Sequence, residues 1–75
     1  MVEVFKTNVA DRGIANQLIE KIQRTFDDYQ ANFDLDDCDL ILRVQNTIGL
    51  VNPSPIIHLL HESGFNASVL PDELV

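Results

Sequence analysis

"QANFDLDDCDLILRV", Gln30 to Val44, decides the fold. Ala31, Phe33 and Leu35 alternate with polar residues, Asp36-Asp37 supplies turn chemistry, and Cys38, Leu40, Leu42 and Val44 alternate again. The stretch therefore reads as two strands joined by an acidic tip. In that register Cys38 faces inward with Leu40, so its thiol reads as a small buried hydrophobe rather than a nucleophile.

Both flanks repeat one theme, a strand joined to a helix. Upstream, "VEVFKTNV" (2–9) is rich in β-branched residues and reads as a strand with Val2 and Val4 inward. Asp11 is a good N-cap for a helix whose Ile14, Leu18 and Ile22, with Phe26 and Tyr29 beyond them, fall on one stripe. Downstream, after the irregular "QNTIGLVNP" (45–53), Ser54 caps a second helix with Pro55 at its first position, and Gly64 ends it. Ile56, Leu59 and Leu60 face the core, and "NASVL" (66–70) is a last short strand with Ala67 and Val69 on one face.

The order is strand, helix, strand, strand, helix, strand. This is the α+β, ferredoxin-like βαββαβ sandwich, an antiparallel four-stranded sheet with two helices on one face, spanning residues 1–75 as a single domain. Such a fold hosts many functions and selects none of them.

Composition narrows the classes. Seventy-five residues give a small core and little room for an enclosed active site, so an enzyme is disfavoured. Twelve acidic residues against five basic ones leave a net charge of −7, which repels phosphate backbones and anionic membranes. Nucleic acid and membrane are thus excluded as expected partners, and no apolar run approaches the roughly 20 residues of a spanning helix. One cysteine cannot form an internal disulfide, and with no signal peptide ahead of the first strand a cytoplasmic setting is expected.

The spacing resembles the heavy-metal-associated domains of copper chaperones and metal-pumping ATPases, βαββαβ domains whose first loop carries Met-x-Cys-x-x-Cys. If Ile14 takes the place of the second cysteine, Leu18 and Ile22 fall where that family's helix is apolar, and Ala31, Phe33 and Leu35 where its second strand is. Val51, five residues before Ile56, fits the lead-in to the second helix, and "SGFNASV" (63–69) resembles the closing Gly-Tyr/Phe-x-Ala-x-Val. The resemblance covers nearly the whole chain but fails at the motif. Val9 stands at the methionine, Asp11 at the first cysteine and Ile14 at the second; a one-residue shift substitutes Arg12 and Ala15, again without a thiol. Cu(I) is held by thiolates, which an Asp and an Ile do not replace.

Other ligands are few. A phosphate cradle needs more than the one glycine of this loop, and Asp11 repels an anion. His58 and His61, three apart in "HLLH", are candidate ligands for Zn²⁺ or Ni²⁺ with Glu62 assisting, although the spacing differs from HExxH and two histidines alone seldom make a selective site. "DLDDCD" (34–39) lacks the central glycine and distal glutamate of an EF-hand and reads as a solvated hairpin tip that discourages edge pairing.

In the βαββαβ order the first loop, the hairpin tip and the end of the second helix share one end of the molecule. Asp11, Asp36, Asp37, His61 and Phe65 are accordingly the candidate partner-binding residues, an aromatic ringed by carboxylates of the kind that docks a basic protein. The expectation is a non-enzymatic binding or regulatory domain without a cofactor. The alternative is a metal-ion carrier using His58, His61 and nearby carboxylates. The last strand is also a candidate edge for pairing with a second copy.

Overall fold

The computed structural model describes residues 1–70; residues 71–75, within the expected domain span, lie outside the described part. Six elements follow in the expected order: β1 (Val2–Thr7), α1 (Arg12–Thr25), β2 (Tyr29–Asp34), β3 (Ile41–Asn46), α2 (Pro53–Glu62) and β4 (Ala67–Val69). The sheet order is β2-β3-β1-β4, with every neighbouring pair antiparallel. Each helix carries the chain over a central strand, so β1 and β3 lie inside and β2 and β4 at the edges, the ferredoxin-like arrangement. α1 packs against β2 and α2 against β4.

Register sets the faces. Phe5 lies opposite Leu42 on one side and Val69 on the other, and Leu42 lies opposite Phe33. Partners across a sheet share a face, so Phe5, Leu42, Val44, Ala31 and Phe33 form the sheet side of the core, all buried. The expectation that Val2 and Val4 point inward is overturned: Phe5 is fully buried, whereas Val2 is 48% exposed and Val4 half-buried. The adjacent Val4-Phe5 pair leaves the choice of face to size, and the aromatic ring removes more apolar surface from water than valine.

α1 begins as expected. Asp11 is its N-cap, in an extended conformation, and its side chain accepts from the Ile14 N–H. The buried stripe is Ala15, Leu18 and Ile22, with Ile14 half-buried beside it, so the helix is turned slightly from the expected phase. Tyr29 does not extend that stripe. The helix ends at Thr25 with Phe26 as C-cap, and Tyr29 opens β2, where its ring stacks on Phe26 at 4.9 Å between centroids.

The hairpin tip differs more. Cys38 is exposed, and Leu40 sits in the left-handed region at φ 51° before β3 begins at Ile41. Both were expected to alternate inward in a strand. The turn is closed instead by local carboxylate bonds, Asp34 Oδ1 accepting from the Asp36 N–H at 3.2 Å and Asp37 Oδ1 from the Asp39 N–H at 2.8 Å. Asx geometry of this sort outcompetes the ladder and takes residues 35–40 out of the strands.

The cap of α2 lies two residues before the expected one. Asn52, not Ser54, is the N-cap, and Pro53 takes the first position. Both Pro53 and Pro55 then fall in the first turn, where backbone N–H groups have no helical acceptor anyway. At the other end Gly64 adopts φ 93°; its N–H bonds His61 O at 3.0 Å and the Phe65 N–H bonds Leu60 O at 2.9 Å, a Schellman closure. Among the described residues no helix is long and apolar enough to cross a membrane.

Candidate functional site

Three connections meet at the end of the sheet where β1 finishes and β3 and β4 begin. Thr7 ties two of them together. Its N–H bonds Asp39 O at 3.2 Å, and its buried hydroxyl donates to Leu40 O at 2.6 Å while accepting from the Val9 N–H at 3.1 Å. The third joins through Asn8, whose Oδ1 accepts from the Asn66 N–H at 2.8 Å. Arg12 reaches the β2 end, 3.5 Å from Phe33 O. The β1–α1 loop, the hairpin tip and the α2–β4 turn are thereby held as one rim.

The three positions that correspond to the thiol motif have different tasks. Val9 is fully buried in the core. Asp11 is exposed and spends one carboxylate oxygen on the Ile14 N–H at 2.9 Å, a bond that also suits the positive end of the helix dipole. Gly13 leaves room for it, since a β-carbon there would lie 3.1 Å from Asp11 Oδ2. Ile14 packs half-buried against the core. Two alkyl chains and an engaged carboxylate give this loop no soft donor.

Beside Asp11 a cleft of about 450 Å³ opens between the helices, lined by Ile14, Gln17, Leu18, Lys21, Ser63 and Phe65. Lys21 Nζ donates to Ser63 Oγ at 3.2 Å between two of these lining residues, on the exposed surface. The Schellman turn sets Phe65 against the core on the cleft wall. Asp36 and Asp37 are exposed on the hairpin at this same end, and His61 is exposed in the last turn of α2.

His58 lies apart from this rim. Its Nε2 is 3.2 Å from Glu62 Oε2, and both residues line a second cleft of about 400 Å³ with Lys21, Phe26, Pro55 and Leu59. Among the described residues the one group of three potential metal donors is Asp37, Cys38 and Asp39, within 4.8 Å of one another. Asp39 also lies 3.9 Å from Lys6 Nζ and Asp37 Oδ1 closes the turn, so two of these groups already have partners within the tip, which keeps its net negative charge.

The sequence reading missed Thr7 as the tie between loops and Cys38 as a free surface thiol. The parity of Thr7 with Phe5 is the signal that would have placed its hydroxyl on the covered side. Gln17, Lys21 and Ser63 carry no local signal, because the cleft exists only once α1 and α2 lie side by side. No protein-family model matches the chain, and neither a curated protein nor a solved structure matches it.

Proposed function

We propose that the chain is a non-enzymatic interaction domain, resembling heavy-metal-associated domains without their thiolate site, that docks a basic segment of a partner protein on the rim described above. One observation carries the reading: a cleft with Ile14, Leu18 and Phe65 as its apolar wall and Gln17, Lys21 and Ser63 as its polar one, Lys21 held by Ser63 Oγ at 3.2 Å, opens toward the end that bears Asp11, Asp36 and Asp37. A partner's apolar side chain fills the cleft, and its Lys or Arg neighbours meet the carboxylates. Anchors in desolvated pockets supply affinity, and surrounding charges supply encounter rate and selectivity. The net charge of −7 supports the choice of a cationic partner over nucleic acid.

Calorimetry with a short Lys/Arg peptide bearing one central Leu tests this. Replacing that Leu with Ser, or using the Asp36→Asn/Asp37→Asn protein, is expected to weaken binding about tenfold each, close to 1.4 kcal/mol. Equal affinity in all three titrations contradicts the proposal. Under reducing conditions Cu(I) is expected to give no tight 1:1 complex, and one forming would return the domain to the metal carriers.

A second reading, a carrier of Zn²⁺ or Ni²⁺ through His58, His61 and Glu62, is favoured by the His58–Glu62 approach at 3.2 Å. Lys21 lines that cleft as it lines the first, and its charge opposes a metal ion bound beside it there, whereas the occupant of the docking cleft is an apolar side chain. Calorimetry with Zn²⁺ on the wild type and on His58→Ala/His61→Ala decides it, since equal signals remove the histidines from consideration.

A further inference from the structure

Twelve acidic residues surround five basic ones in this chain, yet Lys21 makes no ion pair among the described residues. Lys6 lies 3.9 Å from Asp39 and Arg24 lies 2.9 Å from Glu20. The Lys21 ammonium group instead donates to the neutral Ser63 hydroxyl at 3.2 Å, and Ser63 Oγ in turn donates to Leu59 O at 3.2 Å. An ammonium group carries three donors, so two remain for another acceptor. Glu62, which lines the second cleft with Lys21, is turned to His58 Nε2 at 3.2 Å.

Its place matters as much as its partners. Lys21 lines both clefts and so marks where they meet, with Leu18 about one turn and Ile14 about two turns before it on α1. From the rim inward the surface thus presents carboxylates, then the apolar wall of Ile14, Leu18 and Phe65, then a cation. Midway between Ile14 and Leu18 the helix is about five residues from Lys21, or about 7.5 Å at its usual rise. Two residues of extended chain span about 6.6 Å and point their side chains to the same side. The flexible lysine stem covers the difference.

We propose that Lys21 receives a carboxylate of the docked partner, an Asp or Glu two residues inward from the apolar anchor of an extended segment. The inference rests on the docking reading and gives its occupant a charge order: basic residues at the rim, an apolar side chain in the cleft, an acid beyond it. Charge selects this occupant, because a wholly cationic segment would lay a positive side chain on Lys21. A second copy of the chain is disfavoured, since a net charge of −7 on each opposes their approach. Exposed ion pairs are weak, so Lys21 changes affinity by no more than about fivefold and acts on the choice of partner.

The test is a two-by-two set of calorimetric titrations of the full chain. The peptides carry Lys/Arg at one end, then Leu, one spacer residue, and Glu or Gln; each is made in both chain directions, because the geometry gives the order and not the direction. The proteins are the wild type and Lys21→Gln, with circular dichroism checking that the fold is kept. In one direction the Glu peptide is expected to bind the wild type about three- to fivefold tighter than the Gln peptide, and the preference is expected to vanish in Lys21→Gln. Comparing differences cancels any structural effect of losing the Ser63 bond. Moving Glu one residue further, where an extended chain turns it to solvent, is expected to abolish the preference. A Glu-for-Gln effect equal in both proteins overturns the inference and leaves the docking reading standing where the Leu still matters. A preference that survives the move overturns the extended register. Peptides that bind neither protein overturn both readings, and a mass that rises with concentration in the absence of peptide assigns the groove to a second copy and overturns them as well.

Discussion

Asp11 illustrates how a position can keep its place in a motif while its chemistry changes. Where a thiolate would offer a soft donor, a carboxylate instead satisfies the Ile14 N–H in the first turn of α1. Asp11→Ala is expected to lower stability by about 1 kcal/mol in urea denaturation, with Asp11→Asn close to wild type. This role was legible in the sequence, because N-cap preference is local. The exposure of Cys38 was not: apolar alternation runs through Asp37-Cys38-Asp39, and only the Asx bonds of the tip remove it from a strand. Cys38→Ser is therefore expected to change stability by less than about 0.5 kcal/mol. A thiol reagent is also expected to modify Cys38 in the native protein as fast as in urea. Modification only after unfolding would show the thiol to be buried.

The connections, more than the strands, decide what this end of the molecule presents. Thr7 is the link: a buried hydroxyl that serves the β1–α1 loop and the hairpin at once. Thr7→Val keeps the shape and removes both bonds, leaving Leu40 O and the Val9 N–H without a partner. The expected cost is about 1–3 kcal/mol, with faster hydrogen exchange at the Val9 amide. Exchange at wild-type rate would mean that the loops hold together by packing alone. Element types and their order followed from periodicity because each element satisfies its own pattern. The details that failed are boundaries where two local signals compete, as at Asn52 against Ser54 and at Val4 against Phe5.

At the scale of the molecule, the proposed docking role rests on what the ferredoxin-like order gathers at one end. That gathering was legible, since β1, β3 and β4 have their loops in common there whatever the side chains. The cleft between α1 and α2 was not, because it depends on residues distant in sequence, Ile14 and Lys21 on one helix and Ser63 and Phe65 beyond the other. In the docking proposal it adds an apolar anchor point to the carboxylates exposed at the same end. The most direct measurement is a ¹⁵N amide titration with the Leu-centred cationic peptide. The account predicts shifts concentrated at residues 8–18, 34–39 and 61–66, fading when the Leu is replaced by Ser. Shifts spread evenly over the acidic surface, or gathered at β2 or around Ile48 and Leu50, would contradict it.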